Sequence, residues 1–527
     1  MTADPRADRL IRRQERLKAE RSSLESLWQE IGELIKPMRA DFTIQRAPGD
    51  RRAGRIFDAT PALAAENLAA GLWGMITNSA NDWFALRHTI DDLNQERPVR
   101  LWLDTCAARM RDAFAADGQR FYAKVLELYQ DLVSFGTGVF YVDEAPGGGT
   151  LRFSCRHLAE CYIAENDQEQ IDTLIRRFTF SARQAVQRWG DLVSAPILRC
   201  VEHDEAERRF SFLHAVLPVA DWPAADEGFE SQQPSERRFA SIYVDIDGRT
   251  IVAEGGYFEF PYQIPRWSTS TRSLYGDSPA LFALPDIKML NAMSKTTIIA
   301  AQKIADPPIL APDEAAVRGV RTSPGGIIYG GIDAAGRRLY EPLATGGNIN
   351  LGLEMEEQRR SAIREAFLFS LLVMVRQPNA TATEVLARQE EKLRLMGPHL
   401  GRIQAEFLDP LIGRVFAIMS RAGAFPPPPP VLRDYPELRV TYVSPLARAQ
   451  KASEGAAIVR TIEAMAPLAA LKPELLDNFD GDEYARALAE AYGAPAKLLR
   501  DPRDVAALRA GRAALGAMQA LGQEPAT

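Results

Sequence analysis

The sequence predicts an α+β protein that is predominantly helical, and three observations carry that prediction. Apolar residues recur at helical spacing through most of the first 135 residues and again from Ser278 onward. The stretch 150–275 instead reads as short strands separated by turn dipeptides. Glycines and prolines mark the places where one period gives way to the other. With 527 residues, 46% of them hydrophobic and 25% charged, the chain has room for three or four units and an ample core, which excludes disorder and collagen.

The elements follow in order. Leu10, Leu17, Leu24 and Ile31 lie seven apart, with Leu27 and Leu34 filling part of a second seam. Arg13 and Glu20 interrupt that seam, so the spacing predicts one long amphipathic helix over about 10–35 packed on a body, rather than a coiled coil. Lys36-Pro37 ends it. Thr60-Pro61 is the expected N-cap and first turn of a helix running to about Asn78. A short extended piece begins at Trp83, and helices resume over about 96–116 and 121–135. Gly136-Thr137-Gly138 breaks the second of these. Val139 to Val142 and Leu151 to Cys155 then flank a glycine-rich turn, and Ile242 to Ile246 with Thr250 to Ala253 form a hairpin about Asp247-Gly248.

At Tyr275-Gly276-Asp277-Ser278-Pro279 the period changes to 3.6, and a capped helix runs to about Ile304. Asp306-Pro307-Pro308 closes it. About 40 residues rich in Gly and Pro follow, with a strand candidate at Ile327 to Tyr329. Helix returns over about 351–373, breaks at Gln377-Pro378-Asn379-Ala380, and continues over about 383–419 with strain expected at Gly397-Pro398. Five consecutive prolines, Pro426 to Pro430, read as a stiff extended spacer, and an alanine-rich helical tail follows Ser444-Pro445.

Charge and cysteine content narrow the function. There are 63 basic and 70 acidic side chains, a net charge of −7. A protein that grips DNA by neutralising phosphates shows a basic excess, because such affinity rests on counterion release. Four cysteines do not staple so long a secreted chain, and no charged segment followed by an apolar one opens the sequence. A reducing cytosol is the expected compartment. The longest apolar run, Ala366 to Val375, is about half of the roughly 20 residues a spanning helix needs, so no stable membrane association is expected.

Catalytic motifs are absent. No phosphate-binding G-x-x-x-x-G-K-[ST], no H-E-x-x-H and no G-x-S-x-G occurs, and Gly276-Asp277-Ser278-Pro279-Ala280 lacks the last glycine. Glu356-Glu357 and Glu390-Glu391 are adjacent on helices, so each pair diverges, and solvated faces are expected. Cys155, His157, Cys161, Cys200 and His203 could supply soft ligands, but their spacing does not match paired zinc motifs, and packing roles are expected instead. Gly136 and Gly138 follow a helix rather than precede one, which suits a C-cap better than a phosphate cradle. No metal, cofactor or catalytic residue is expected.

The order of elements is the informative feature. Arg9 to Arg16 and the helix they open, Glu66-Asn67-Leu68-Ala69-Ala70-Gly71-Leu72 with Trp83-Phe84-Ala85-Leu86, and Tyr122 through Gly138-Val139-Phe140-Tyr141-Val142 all resemble segments of the portal proteins, the head-to-tail connectors of podovirus-type tailed bacteriophages. Tyr275-Gly276-Asp277-Ser278-Pro279 resembles the start of that family's first stem helix. The 383–420 helix with Ser444-Pro445-Leu446-Ala447 resembles the region after its channel loop.

The resemblance implies a ring, typically of about twelve subunits, at one capsid vertex, a conduit for packaging and ejecting double-stranded DNA. It implies a portal-type fold: wing (1–277), first stem helix (278–304), small α/β clip (305–346), second stem helix (347–373), channel loop (374–382), wing helix (383–424), and a helical crown with C-terminal tail (425–527). Terminase and tail adaptor would dock on the clip, and major capsid and scaffold protein would be further partners. The protein would belong to the virion, and to the host cytoplasm during assembly. The loop residues Arg376, Gln377, Asn379, Thr381 and Thr383 are the DNA-facing candidates, with an ordinary surface loop as the alternative. Glu354, Glu357, Arg360 and Arg364 are candidates for the channel wall. Arg359, Arg360 and Arg364 could touch DNA, although ion pairing between subunits with Glu354, Glu356, Glu357 or Glu365 is the expected role. A conduit must let DNA slide, and about twelve copies at −7 sum to roughly −84, which suits a wall that repels phosphate at short range. The alternatives are another neck ring or a packaging-associated nucleic-acid enzyme.

Overall fold

The computed structural model describes the chain except residues 1–3, 45, 48, 81, 117–119, 145–150, 223–236, 272, 311–326, 328–330, 334, 344–348, 373–393, 434–437, 443–454, 466, 468–471, 473–479, 492–497, 501 and 522–527. It is α+β and predominantly helical, as expected.

The N-terminal helical region is two helices, α1 (Pro5–Glu20) and α2 (Ser22–Ile35), rather than one. The break is Arg21, whose backbone leaves helical geometry while its guanidinium turns inward. There it donates to the carbonyls of Leu158, Ala159 and Cys161 at 3.0, 2.9 and 2.5 Å and to Glu25 at 2.8 Å, and lies over the Tyr162 ring. A buried cation able to satisfy that many acceptors outweighs one helical turn.

Helix α3 (Thr60–Ile76) begins at Thr60 itself, and Asp58, not Thr60, supplies the side-chain oxygen, accepting the Thr60 N–H at 2.8 Å. Next come β1 (Phe84–His88), α4 (Asp91–Gln95), α5 (Arg97–Ala115) and α6 (Phe121–Phe135). Strands β2 (Val139–Glu144) and β3 (Leu151–Arg156) pair antiparallel, as the glycine-rich turn predicts. A five-stranded antiparallel sheet follows, in the order β4 (Cys161–Glu165), β5 (Ile171–Ser181), β6 (Arg209–Pro218), β7 (Phe239–Asp245), β8 (Thr250–Tyr257), with the last hairpin turning at Asp247-Gly248. Side chains alternate along its strands: Ile175, Leu213, Ala215 and Ile242 meet α1 on one face. On the other, Phe178, Phe212 and Val252 meet two short helices, α7 (Ala182–Trp189) and α8 (Ala195–Glu202).

The largest core joins α2, α3, α5, α6, β2 and β3 to the first half of α9 (Pro279–Ala305) and to the later helices. A two-residue strand, β9 (Tyr262–Gln263), extends the β2 sheet, and β10 (Ile309–Leu310) pairs with β11 (Glu341–Pro342). The Ile327 to Tyr329 candidate falls largely outside the described residues. The second long helix is α10 (Ile349–Ala366), which does not run unbroken to 373: Leu368 takes a left-handed φ of 56°, and a short α11 (Phe369–Leu372) follows.

Gly397-Pro398 sits in regular helix within α12 (394–403). The departure from α geometry comes a turn later, as a π turn over Gln404–Leu408 before α13 (Asp409–Arg421). That wider turn sets Glu406 against Arg266, accepting its backbone N–H at 2.8 Å and its guanidinium at 2.8 Å. The proline run is docked rather than a free spacer. Trp102 Nε1 donates to the Pro426 carbonyl at 2.8 Å and Arg109 to the Ala424 carbonyl. Strand β12 (Leu438–Tyr442) then pairs antiparallel with β1, Phe84 opposite Tyr442. Helices α14 (455–465), α15 (Gly481–Ala491) and α16 (Pro502–Leu521) make the alanine-rich tail helical, as expected.

Candidate functional site: the long helix pair

Helices α9 and α10 lie against each other, and α9 is fixed at its base. The Ser278 hydroxyl accepts the Leu281 N–H at 3.0 Å, capping the helix, and donates to the Ser134 carbonyl at 2.9 Å. Gly276 N–H donates to Thr137 Oγ1 at 2.8 Å, and Trp267 N–H to the Gly136 carbonyl at 2.8 Å. The two glycine motifs singled out in the sequence therefore dock on one another. Gly136 takes the left-handed φ of 76° that its reading as a C-cap requires.

Along the first half of α9, Ala280, Ala283, Leu284, Ile287 and Leu290 are buried in the core, and Ser294 is the last buried residue. Beyond it the helix leaves the body. Its apolar side chains there stay open to solvent, Ile298 and Ile304 among them, and Phe282 nearer the base is 69% exposed. Leu351, Leu353 and Met355 of α10 are exposed as well.

Polar contacts set the register of the pair. Thr297 Oγ1 donates to Glu356 at 2.6 Å, and Arg359 donates to Asp286 at 2.7 Å. Arg360 donates to Asp58 at 2.9 Å and to Glu356 at 2.8 Å, tying α10 to the segment before α3. Arg364 donates to Glu357 at 2.9 Å. Lys288 pairs with Glu30, while Asn291 accepts the Phe57 N–H and donates to the Arg55 carbonyl. Burial alone would raise the Asp58 carboxyl, but the hydrogen bonds from Thr60 and Arg360 outweigh it and hold the group below the usual carboxylate range. Glu357, on the exposed side of α10, is likewise held low, first by its hydrogen bond from Arg364.

This arrangement corrects two expectations. Glu356 is not on a solvated face; it is buried between Thr297 and Arg360. The ion pairs of Arg359, Arg360 and Arg364 form within the chain, and two of the partners, Asp58 and Asp286, were not among those expected. Asp58 carries a local signal, two residues before the proline-initiated helix, but nothing local links it to Arg360. Glu354 is exposed on α10. The loop candidates Arg376, Gln377, Asn379, Thr381 and Thr383 lie outside the described residues, as does Glu390-Glu391.

The cysteine and histidine group is distributed through the body. His157 packs edge-on to Phe42, and its ring nitrogens reach the Arg39 carbonyl and the Ala159 N–H at 3.0 and 3.2 Å. Burial pushes the Cys155 thiol up, beside Asp131, and Cys161 is enclosed in the same core. Cys200, on α8, is buried in the cluster between α7, α8 and the sheet, and His203 caps back onto the Arg199 carbonyl. Among the described residues, no group of three His, Cys, Asp or Glu side chains is placed to hold a metal ion, and no helix is long and apolar enough to cross a membrane.

Comparison with known proteins adds the family. The chain is 31% identical over 522 residues to the portal protein of Salmonella phage epsilon15, covering 97% of this chain and 92% of that protein. It is 32% identical over 519 residues to the probable portal protein of Bordetella phage BPP-1, covering 96% and 90%. Among solved structures, a chain from the virion of a native gene transfer agent particle aligns over 82% of this chain and 88% of its own length, with a TM-score of 0.34 and 13% identity. The profile of the bacteriophage head to tail connecting proteins matches residues 7–499. With that match and identity above 30% along nearly the whole length, the chain belongs to the bacteriophage head-to-tail connecting protein family, the phage portal proteins.

Proposed function

We propose that this portal protein works as a closed ring of about twelve copies at one capsid vertex, conducting double-stranded DNA inward at packaging and outward at ejection. Terminase and tail adaptor dock on it in turn, and it meets major capsid and scaffold protein during assembly in the host cytoplasm. The observation that carries the ring is the α9–α10 pair. It is rigidly clamped at its base, yet beyond Ser294 it presents apolar side chains that this chain does not cover. Exposed apolar faces of that extent mark interaction surfaces, and identical copies around an axis cover such faces on every subunit.

On this reading α9 and α10 are the stem (278–304 and 347–373), and 305–346 is the clip. Residues 374–382 are the channel loop, and 1–277 with 383–424 form the wing. Residues 425–527 are the crown and tail, and the pairing of β12 with β1 supports counting the stretch up to Tyr442 with the wing. Glu354, Glu357, Arg360 and Arg364 contribute to the channel wall. The carboxylates that hold Arg359, Arg360 and Arg364 support a wall along which DNA slides, since guanidiniums already paired offer little to phosphate. Arg376, Gln377, Asn379, Thr381 and Thr383 make transient contacts with DNA; unchanged packaging and retention in an Arg376→Ala phage would remove Arg376 from that role.

The ring has no catalytic activity of its own. Negative-stain microscopy of purified protein tests the proposal, the expected result being rings with a central hole. A monomer at all concentrations, with scaffold and capsid protein also supplied, would overturn it. Divalent-dependent nuclease activity would favour the packaging enzyme instead.

A further inference from the structure

Helix α1 buries Ala7, Leu10 and Gln14 toward the five-stranded sheet, and the flank beside that stripe carries Arg9, Arg13 and Arg16. Their i, i+4, i+7 spacing spans about 10 Å of helix. Together with Ala220 and Asp221 they line an open groove of about 470 Å³. Among the described residues none of the three makes an ion pair or hydrogen bond, whereas their neighbour Arg6 is held by Asp4 and Glu254. Among the described residues two carboxylates stand near, Asp221 in the groove and Asp172 beside Arg13, so there guanidinium is in excess.

We propose that this groove binds the phosphate backbone of duplex nucleic acid, at a site separate from the α9–α10 pair; the proposal rests on the reading that DNA reaches this protein. Arginine is the residue suited to bidentate phosphate contact, and a row about 10 Å long matches two or three successive phosphates of one strand. A protein partner is disfavoured by the lining itself. Among the described residues Ala220 is its only apolar lining residue, which offers little to an anchor side chain, while backbone contact to DNA needs only charge and donors. With three contacts the site is weak and salt-labile, compatible with DNA that must move.

Fluorescence anisotropy of the full-length protein with a duplex of about 30 base pairs, across roughly 50–200 mM salt, tests this. Replacing Arg9, Arg13 and Arg16 together by Gln should weaken binding about tenfold or more and lower the salt slope by roughly three. Arg12→Gln with Lys18→Gln, on the same helix outside the groove, should leave affinity within about twofold. Asp221→Asn should tighten binding, and that variant carries the test if the triple one fails to assemble. An unchanged triple variant, an equal loss in the Arg12 and Lys18 control, or competition by polyglutamate as strong as by duplex would each overturn the site. Rings that form normally while the triple variant binds duplex unchanged refute the groove alone. Absent rings refute the ring proposal, and duplex binding by the dispersed protein still decides the groove.

Discussion

Gly136 and Gly276 hold two backbones closer than any side chain would allow. A Cβ on Gly276 would lie 2.3 Å from the Gly136 carbonyl oxygen, and one on Gly136 would lie 2.1 Å from the Gly276 oxygen. Real Cβ atoms do not approach backbone that closely, so α9 would have to back away from α6 and β2. Gly276→Ala should therefore cost about 1–3 kcal/mol or more in chemical denaturation of the body; a loss under about 0.5 kcal/mol would show that this contact relaxes freely. Arg21 is the opposite case, a long side chain wholly enclosed. Arg21→Met keeps much of its volume but leaves the carbonyls of Leu158, Ala159 and Cys161 without their donor. The expected cost is about 3–5 kcal/mol, with Arg21→Lys recovering only part, because one ammonium cannot reach all of those acceptors and Glu25 in the plane of a fork. Equal stability of the Met and native proteins would remove Arg21 as the link between α1, α2 and the sheet.

Among elements, the five-stranded sheet carries a titratable group at its centre. His214 on β6 is fully enclosed, its Nδ1 2.8 Å from the Tyr262 hydroxyl, its Nε2 3.1 Å from Ser241 Oγ, and its ring stacked on Tyr243. Burial, reinforced by the charges of Arg176, Arg188 and Arg156, pushes its pKa well below the ordinary value. The folded protein then binds fewer protons than the unfolded chain once pH falls below about 6.5. Stability should decline from there at up to about 1.4 kcal/mol per pH unit for this histidine. His214→Gln should flatten that limb of the melting-temperature profile between pH 7 and 5; an unaltered slope would assign the acid sensitivity elsewhere. What the sequence announces at this scale follows from how local each cause is. The hairpin at Asp247-Gly248, the cap at Ser278 and the break at Gly136 each rest on a few adjacent residues, and each is legible. Helices α7 and α8 also had a local signal, Ser181 with Gln184 as a capping box and Pro196 in a first turn, but at eight residues apiece they are hidden among strands. The Arg21 break, the π turn at Glu406 and the β1–β12 pairing depend on partners more than 130 residues away, and no periodicity encodes those. The long helix pair was legible as two helices, while its register, set by Asp58, Asp286 and Thr297, was not.

At the scale of the whole molecule, the buried and exposed faces of the α9–α10 pair make different demands, and substitutions on each separate them. Ile287 is buried in the body, so Ile287→Ala should destabilise the subunit by about 2–5 kcal/mol whether or not copies associate. Phe282, Ile298 and Leu351 are exposed in the single chain, at 69%, 44% and 56%. Replacing any of them by Glu should cost the subunit much less than Ile287→Ala, about 0.5 kcal/mol at the mostly exposed Phe282 and about 1 kcal/mol at the half-covered Ile298 and Leu351. In a ring the same change removes about 2 kcal/mol of apolar burial from each contact and adds the cost of a desolvated carboxylate. Closure repeats that loss at every interface, so a change that leaves the subunit intact should abolish assembly. Sedimentation velocity resolves the two states, since about twelve copies of 58.4 kDa come to roughly 700 kDa. The expected result is a folded Phe282→Glu/Ile298→Glu subunit that stays small under conditions where the native protein closes. Rings of unchanged size from that variant would mean that these side chains face the channel or solvent instead, and the subunit contact would have to be sought on another face.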